Sequence, residues 1–171
     1  MESMIERVRQ QIHDKLDYSA YDCTTIQEET NCYAHALGAT TTLDNRMYIV
    51  GRFSHGIGFE PNYIDRDDLR SKLEEDLNTL GLKFERVRAK GKFEIIDFVE
   101  NFSLKDNQHI IVLFSKEYRD MKIRDFHFIR YDNEKKWSEK SPRQRLSYID
   151  NIKISWPSFW IYDVATYVIT R

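Results

Sequence analysis

The stretch Asp125-Phe126-His127-Phe128-Ile129-Arg130-Tyr131-Asp132-Asn133-Glu134-Lys135-Lys136-Trp137-Ser138-Glu139-Lys140 reads as a β-hairpin. Its arms, residues 124–131 and 136–140, carry aromatic and β-branched side chains, and four polar residues, 132–135, lie between them as a turn. A strand alternates its side chains, so His127, Ile129 and Tyr131 share one face while Phe126, Phe128 and Arg130 share the other. A type I turn with a bulge, Lys135 taking the left-handed position, sets Tyr131 opposite Trp137 and Ile129 opposite Glu139. In that register Glu139 lies on the face of His127, one diagonal step away, where a carboxylate can orient the ring. A two-residue loop would turn Glu139 to the opposite face. Asp125 also shares the face of His127 and competes for the orienting role. The plain alternative for His127 is an inward histidine satisfied by backbone.

Around this hairpin the pattern predicts further strands at residues 47–53, 82–87, 109–114 and 159–170, and helices at residues 4–17, 31–38, 65–81 and 94–102. Ile5, Val8, Ile12 and Leu16 form the apolar stripe of the first helix, and Leu69, Leu73, Leu77 and Leu80 that of the third. The glycine-rich segment Ser54-His55-Gly56-Ile57-Gly58 is expected as a loop leaving the 47–53 strand. Helices come early and strands mostly late, which predicts an α+β fold with helices packed on an antiparallel sheet. No repeat, linker or low-complexity segment divides the chain. It is expected as one domain, with residues 1–29 a helix and lead-in, 30–140 the core and 141–171 a C-terminal strand region.

The short helix holds the second chemically loaded residue. Asn31 or Thr30 can cap its start and Gly38 can end it in the left-handed conformation, so Cys32 falls in the first turn. A thiol attacks carbonyls as thiolate, and a helix start and a nearby imidazole both favour that form. The plain alternative is a small buried apolar cysteine. Acyl transfer also needs donors for the developing oxyanion. The backbone N–H of Cys32 is one, and Gln27, five residues upstream, can supply another, or can be an exposed loop glutamine. Tyr33 is expected to pack.

Totals exclude several classes. Among 171 residues, 26 basic and 28 acidic side chains leave a formal charge of -2, without the basic excess of a nucleic-acid binder, so no nucleic-acid partner is expected. The cluster Arg143, Arg145 and Lys153 is expected as a solvated loop. No apolar run approaches the length of a membrane span, and residues 1–15 lack the pattern of a signal peptide. A cytoplasmic location with no membrane association is expected, and there Cys23 and Cys32 are expected reduced. Cys23, Cys32, His35 and His55 are types that zinc accepts, but no Cys-x-x-Cys or His-x-x-x-His pair anchors them, so no metal is expected. Gly51, Gly56 and Gly58 lack the Lys-Ser/Thr ending of a phosphate loop, and no cofactor is expected.

Asn31-Cys32-Tyr33-Ala34, Asp125-Phe126-His127-Phe128 and Trp137-Ser138-Glu139-Lys140 together resemble the core of papain-like bacterial and phage proteins related to the NlpC/P60 cysteine peptidases. The resemblance spans residues 30–140 in order and spacing. It implies a papain-like fold in which the cysteine heads a helix packed on an antiparallel sheet and the histidine lies on a following strand. A third polar residue, often histidine, stands on the next strand. By position, Cys32 is then the nucleophile, His127 the base, and Glu139 the third residue; the usual Asp-Cys-Ser-Gly sequence is absent. The implied function is a cysteine hydrolase or acyl transferase acting on an amide or related acyl bond of a protein or peptide substrate. The alternative is a non-catalytic binding protein of the same fold, of phage or mobile-element origin, that inhibits a host protein.

Overall fold

A computed structural model describes residues 3–13, 30–40, 48–89, 91–117, 123–133, 136–140, 146–149 and 163–171. The described helices are α1 (Met4–His13), α2 (Cys32–Leu37), α3 (Arg52–His55), α4 (Arg66–Thr79) and α5 (Lys92–Asn101). The strands are β1 (Lys83–Val87), β2 (Gln108–Glu117), β3 (Ile123–Asp132), β4 (Lys136–Lys140), β5 (Leu146–Ile149) and β6 (Asp163–Thr170). They form one sheet of order β1-β6-β2-β3-β4-β5. Every adjacent pair is antiparallel. The α+β class with an antiparallel sheet is therefore observed.

Period-two alternation divides the sheet into two buried faces. Ile111, Leu113, Phe128, Ala165, Tyr167 and Ile169 form one core with Val8 and Ile12 of α1, Ala34 and Leu37 of α2, and Leu69, Leu73 and Leu77 of α4. The opposite residues, Ile110, Val112, Phe114, Ile129, Trp137, Ile149, Val164 and Val168, form a second core under Ile95, Ile96 and Val99 of α5. Burying one such leucine contributes about 1.5–3 kcal/mol, so the two apolar faces explain why helices cover both. The central strand β2 is paired on both sides and apolar on both faces, which accounts for its uninterrupted Ile110-Ile111-Val112-Leu113-Phe114 run.

One expected strand is corrected. Among the described residues, 48–51 form no strand, and residues 52–55 turn into α3. Gly51 takes φ 100°, and a β-carbon there would lie 2.8 Å from the Phe59 ring, so this position resists any other residue. Asp76 of α4, fully buried, then gathers the chain: its carboxylate accepts from Gly51 N (2.7 Å), Ser54 N (2.8 Å), Ser54 Oγ (2.8 Å) and Tyr33 Oη (2.8 Å). Gly51 has no side chain to cap α3, and Asp76 caps it from another helix. Ser54 and His55, expected in a loop, consequently belong to α3. Periodicity in the sequence does not mark β5 at all, because four residues hold too few turns of the alternation. Arg143, Arg145 and Lys153 lie outside the described residues. No described helix is long and apolar enough to cross a membrane.

Candidate functional site

The hairpin closes in the three-residue register. Asp132 pairs with Lys136, Tyr131 with Trp137, Arg130 with Ser138 and Ile129 with Glu139. The Tyr131 and Trp137 rings meet with centroids 5.0 Å apart, an aromatic cross-strand pair that resists slippage. This register carries Glu139 to His127: Oε2 lies 2.9 Å from the imidazole Nε2.

The start of α2 supplies the thiol. Asn31 is extended at φ -129° and accepts from Ala34 N at 3.0 Å, while its amide donates to Tyr48 O at 2.7 Å. That second bond ties the cap to the loop before α3. At the other end Gly38, at φ 84°, closes the helix with N–H bonds to Ala34 O and His35 O. Six residues make one and a half turns, and a helix so short is stable only when held by its surroundings. Arg130 of β3 provides one hold. Its guanidinium, 1% exposed, is paired in a fork with Asp132 at 2.9 Å through both Nε and Nη2. Nη1 donates to His35 O (3.3 Å) and Ala36 O (3.4 Å), carbonyls of the last turn. His109 Nε2 bonds Ala36 O at 2.8 Å, and His35 Nε2 meets Ser138 Oγ at 2.9 Å. Burial, with the Arg130 charge, pushes His35 down to about 3 and His109 well below its usual range, so both rings are neutral structural groups.

Cys32 lies close enough to His127 to raise the pKa of its ring. The described β3–β4 pairs run from Asp132↔Lys136 to Ile129↔Glu139, and His127 lies two residues further along β3. Phe128 and Arg130, on α2's side of β3, hold the helix. Burial pulls the His127 pKa down, but the hydrogen bonds and negative charges of Cys32 and Glu139 outweigh it and raise it from 6.5 to about 9. At neutral pH the ring is an imidazolium that donates at both nitrogens. Cys32 is 7% exposed.

Of the remaining sequence-expected residues, Asp125 takes its place in β3 opposite Lys116, and its side chain lies outside the described residues. Gln27 and Cys23 also lie outside them. Tyr33 packs: its ring stacks on Phe128 at 5.3 Å and its hydroxyl is bound by Asp76. Of the zinc-type residues, His35 engages Ser138 and His55 engages Glu75 at 2.7 Å. Among the described residues no group of three His, Cys, Asp or Glu is placed to hold a metal ion.

Three polar residues of the site escaped sequence reasoning. Lys140 is fully buried and its Nζ donates to Thr30 O at 3.0 Å, just before the Asn31 cap. Arg130 and Asp132 clamp the far end of the same helix. The period of β4 contained the signal for Lys140. Once Glu139 is assigned to the His127 face, Ser138 and Lys140 must face α2. No protein-family model matches this chain, and no curated protein matches it in sequence.

Proposed function

We propose that this protein is a papain-like cysteine hydrolase or acyl transferase, with Cys32 as nucleophile, His127 as proton carrier and Glu139 as the group that holds the ring. The observation that supports this most is the placement of His127, 2.9 Å from Glu139 and near enough to Cys32 for the thiol to raise its pKa. A histidine satisfied by backbone would need neither. Cys32 attacks as thiolate, with the His127 imidazolium as its proton carrier. Sγ attacks the acyl carbon, a C–S bond forms, and the carbonyl π pair moves onto oxygen, toward the N–H groups at the start of α2. Collapse of this adduct expels the amine or alcohol, which takes the proton from His127. Water, or an acceptor amine in a transferase, then attacks the thioester while His127 removes its proton, and the thiolate leaves. The third position accepts a carboxylate in this scheme, because an imidazolium intermediate is stabilised by negative charge.

The non-catalytic binding reading draws on the burial of Cys32, 7% exposed, since a nucleophile must be reached. Intact-mass labelling with iodoacetamide across pH separates the two. Catalysis predicts that Cys32 is modified well before Cys23 and that His127→Ala slows the reaction near neutral pH about tenfold or more. Equal modification of the two thiols, indifferent to His127→Ala, would leave the binding reading in possession.

A further inference from the structure

We propose that Asn31 and Tyr33, the two neighbours of Cys32 along the chain, are positioning residues that fix the direction of the nucleophile by bonds made outside α2. The inference rests on the cysteine-hydrolase reading and concerns how its thiol is held in place.

α2 is six residues long, so its own hydrogen bonds hold its first turn weakly. The direction of a side chain follows from the backbone that carries it, and the backbone at Cys32 is held through its neighbours. Both neighbours bond beyond the helix. On one side the Asn31 amide donates to Tyr48 O at 2.7 Å, while its oxygen accepts from Ala34 N at 3.0 Å. On the other side the Tyr33 hydroxyl donates to Asp76 Oδ2 of α4 at 2.8 Å, and both of these side chains are fully buried. The same carboxylate accepts from Gly51 N and Ser54 N, so Asn31 and Tyr33 are anchored to one stretch, residues 48–54. Packing alone would keep the Tyr33 ring in the core: it stacks on Phe128 at 5.3 Å and meets Tyr48 and Phe53 at 6.4 Å. Phenylalanine could make all three contacts. The hydroxyl adds a charge-assisted bond at the far end of the ring, which opposes rotation of the first turn about the helix axis. Burial and the Asp76 carboxylate raise the Tyr33 pKa, so the phenol stays a donor. The other end of α2 is held separately, by Arg130 on His35 O and Ala36 O. The first turn therefore takes its placement from residues 48–54 and Asp76. The reaction is sensitive there, since a misplacement of about 1 Å can cost about 10²-fold in rate.

The test is the pH profile of Cys32 alkylation by iodoacetamide, read by intact mass on the full chain carrying Cys23→Ser, with melting temperatures measured alongside. Tyr33→Phe keeps the ring and removes the hydroxyl. Asn31→Ser keeps a cap oxygen and removes the donor to Tyr48 O. Ser54→Ala is the control, because it takes one bond from Asp76 without touching either neighbour of Cys32. Tyr33→Phe and Asn31→Ser are each expected to slow labelling near neutral pH about fivefold or more. Their midpoints should move toward that of a free thiol, because sulfur loses its placement near His127. Ser54→Ala lowers the melting temperature and keeps the wild-type midpoint. Either positioning variant carries the comparison alone should the other fail to fold. Wild-type midpoints in both, with His127→Ala shifted, overturn the positioning role and leave the hydrolase reading standing. Faster labelling at an unmoved midpoint overturns it as well, since the bonds would then only bury the thiol. So does a shift in Ser54→Ala equal to that in Tyr33→Phe, which would trace the effect to lost stability. A wild-type midpoint in His127→Ala would overturn the hydrolase reading itself.

Discussion

At the scale of single residues, the site depends on which carboxylate reaches His127. The ladder register sets Glu139, not a backbone carbonyl, 2.9 Å from Nε2. The raised pKa of His127, about 9, contains that contact as well as the nearness of Cys32. Glu139→Ala should therefore bring the ring's titration midpoint down toward 6.5, followed by the NMR shift of its Cε1 proton. Glu139→Gln should lower it too, by a smaller amount, since the amide oxygen can still accept from Nε2–H. Little stability is at stake, because the Glu139 side chain is 31% exposed. An unshifted midpoint in Glu139→Ala, together with a shifted one in Asp125→Ala, would make Asp125 the orienter. The hairpin made this pair legible beforehand. An aromatic pair, a polar turn and strict alternation allow few registers, and only one of them joins His127 to Glu139.

At the scale of elements, α3 shows a tertiary contact overriding local propensity. Met47-Tyr48-Ile49-Val50 has the composition of a strand, yet residues 48–51 form none. The left-handed Gly51 turns the chain, and Asp76 collects four donors from Tyr33, Gly51 and Ser54. All four are donations, so the buried group serves as carboxylate even though burial pushes its pKa upward. Asp76→Ala would strand these donors in a dry core, each costing about 1–3 kcal/mol if left unpaired. Partial relaxation should bring the total to about 3–5 kcal/mol, measured as a lowered urea midpoint with the slope unchanged. A loss below 1 kcal/mol would mean that the cap is dispensable. Tyr33 belongs to the same network and sits directly after Cys32, so Asp76 also steadies the start of α2.

At the scale of the whole molecule, pH acts on the packing of α2 against the sheet. His35 and His109 are fully buried and are pushed down, His35 to about 3, against 6.5 for a free ring. The sign follows from proton binding. Below about pH 6.5 the unfolded chain takes up protons that these native rings refuse, so stability falls as pH is lowered. Each such histidine contributes about 1.4 kcal/mol per pH unit in that range. His127 has the opposite sign: its stabilising contribution is complete below pH 6.5 and is lost as pH rises through about 9. His109→Gln keeps a donor for Ala36 O and removes one titrating ring. Its urea-derived stability between pH 4 and 6 should vary less steeply than wild type by about one proton. Parallel curves for the two proteins would show that His109 titrates normally in the native state.

The sequence by itself determined the class of fold and the ends of α2, and it offered the hairpin register with Glu139 or Asp125 as the partner of His127; the structure adopts that register and brings Glu139 to the ring. These rest on interactions between residues close along the chain or on alternation, both of which are written in residue order. The expectation of a cysteine at the head of a helix, near a histidine on a later strand, came from short motifs in the same order. What only the tertiary structure decided involves partners far apart in sequence: Asp76 capping α3, Arg130 closing the last turn of α2, and Lys140 bonding Thr30 across 110 positions. Alternation puts Lys140 on the α2 side of its strand, but no period names the distant group that a buried charge bonds. The order of the sheet, with the C-terminal strand β6 between β1 and β2, is equally silent in the sequence. Both faces of a central strand are apolar wherever it lies, so its neighbours are chosen by packing and not by pattern.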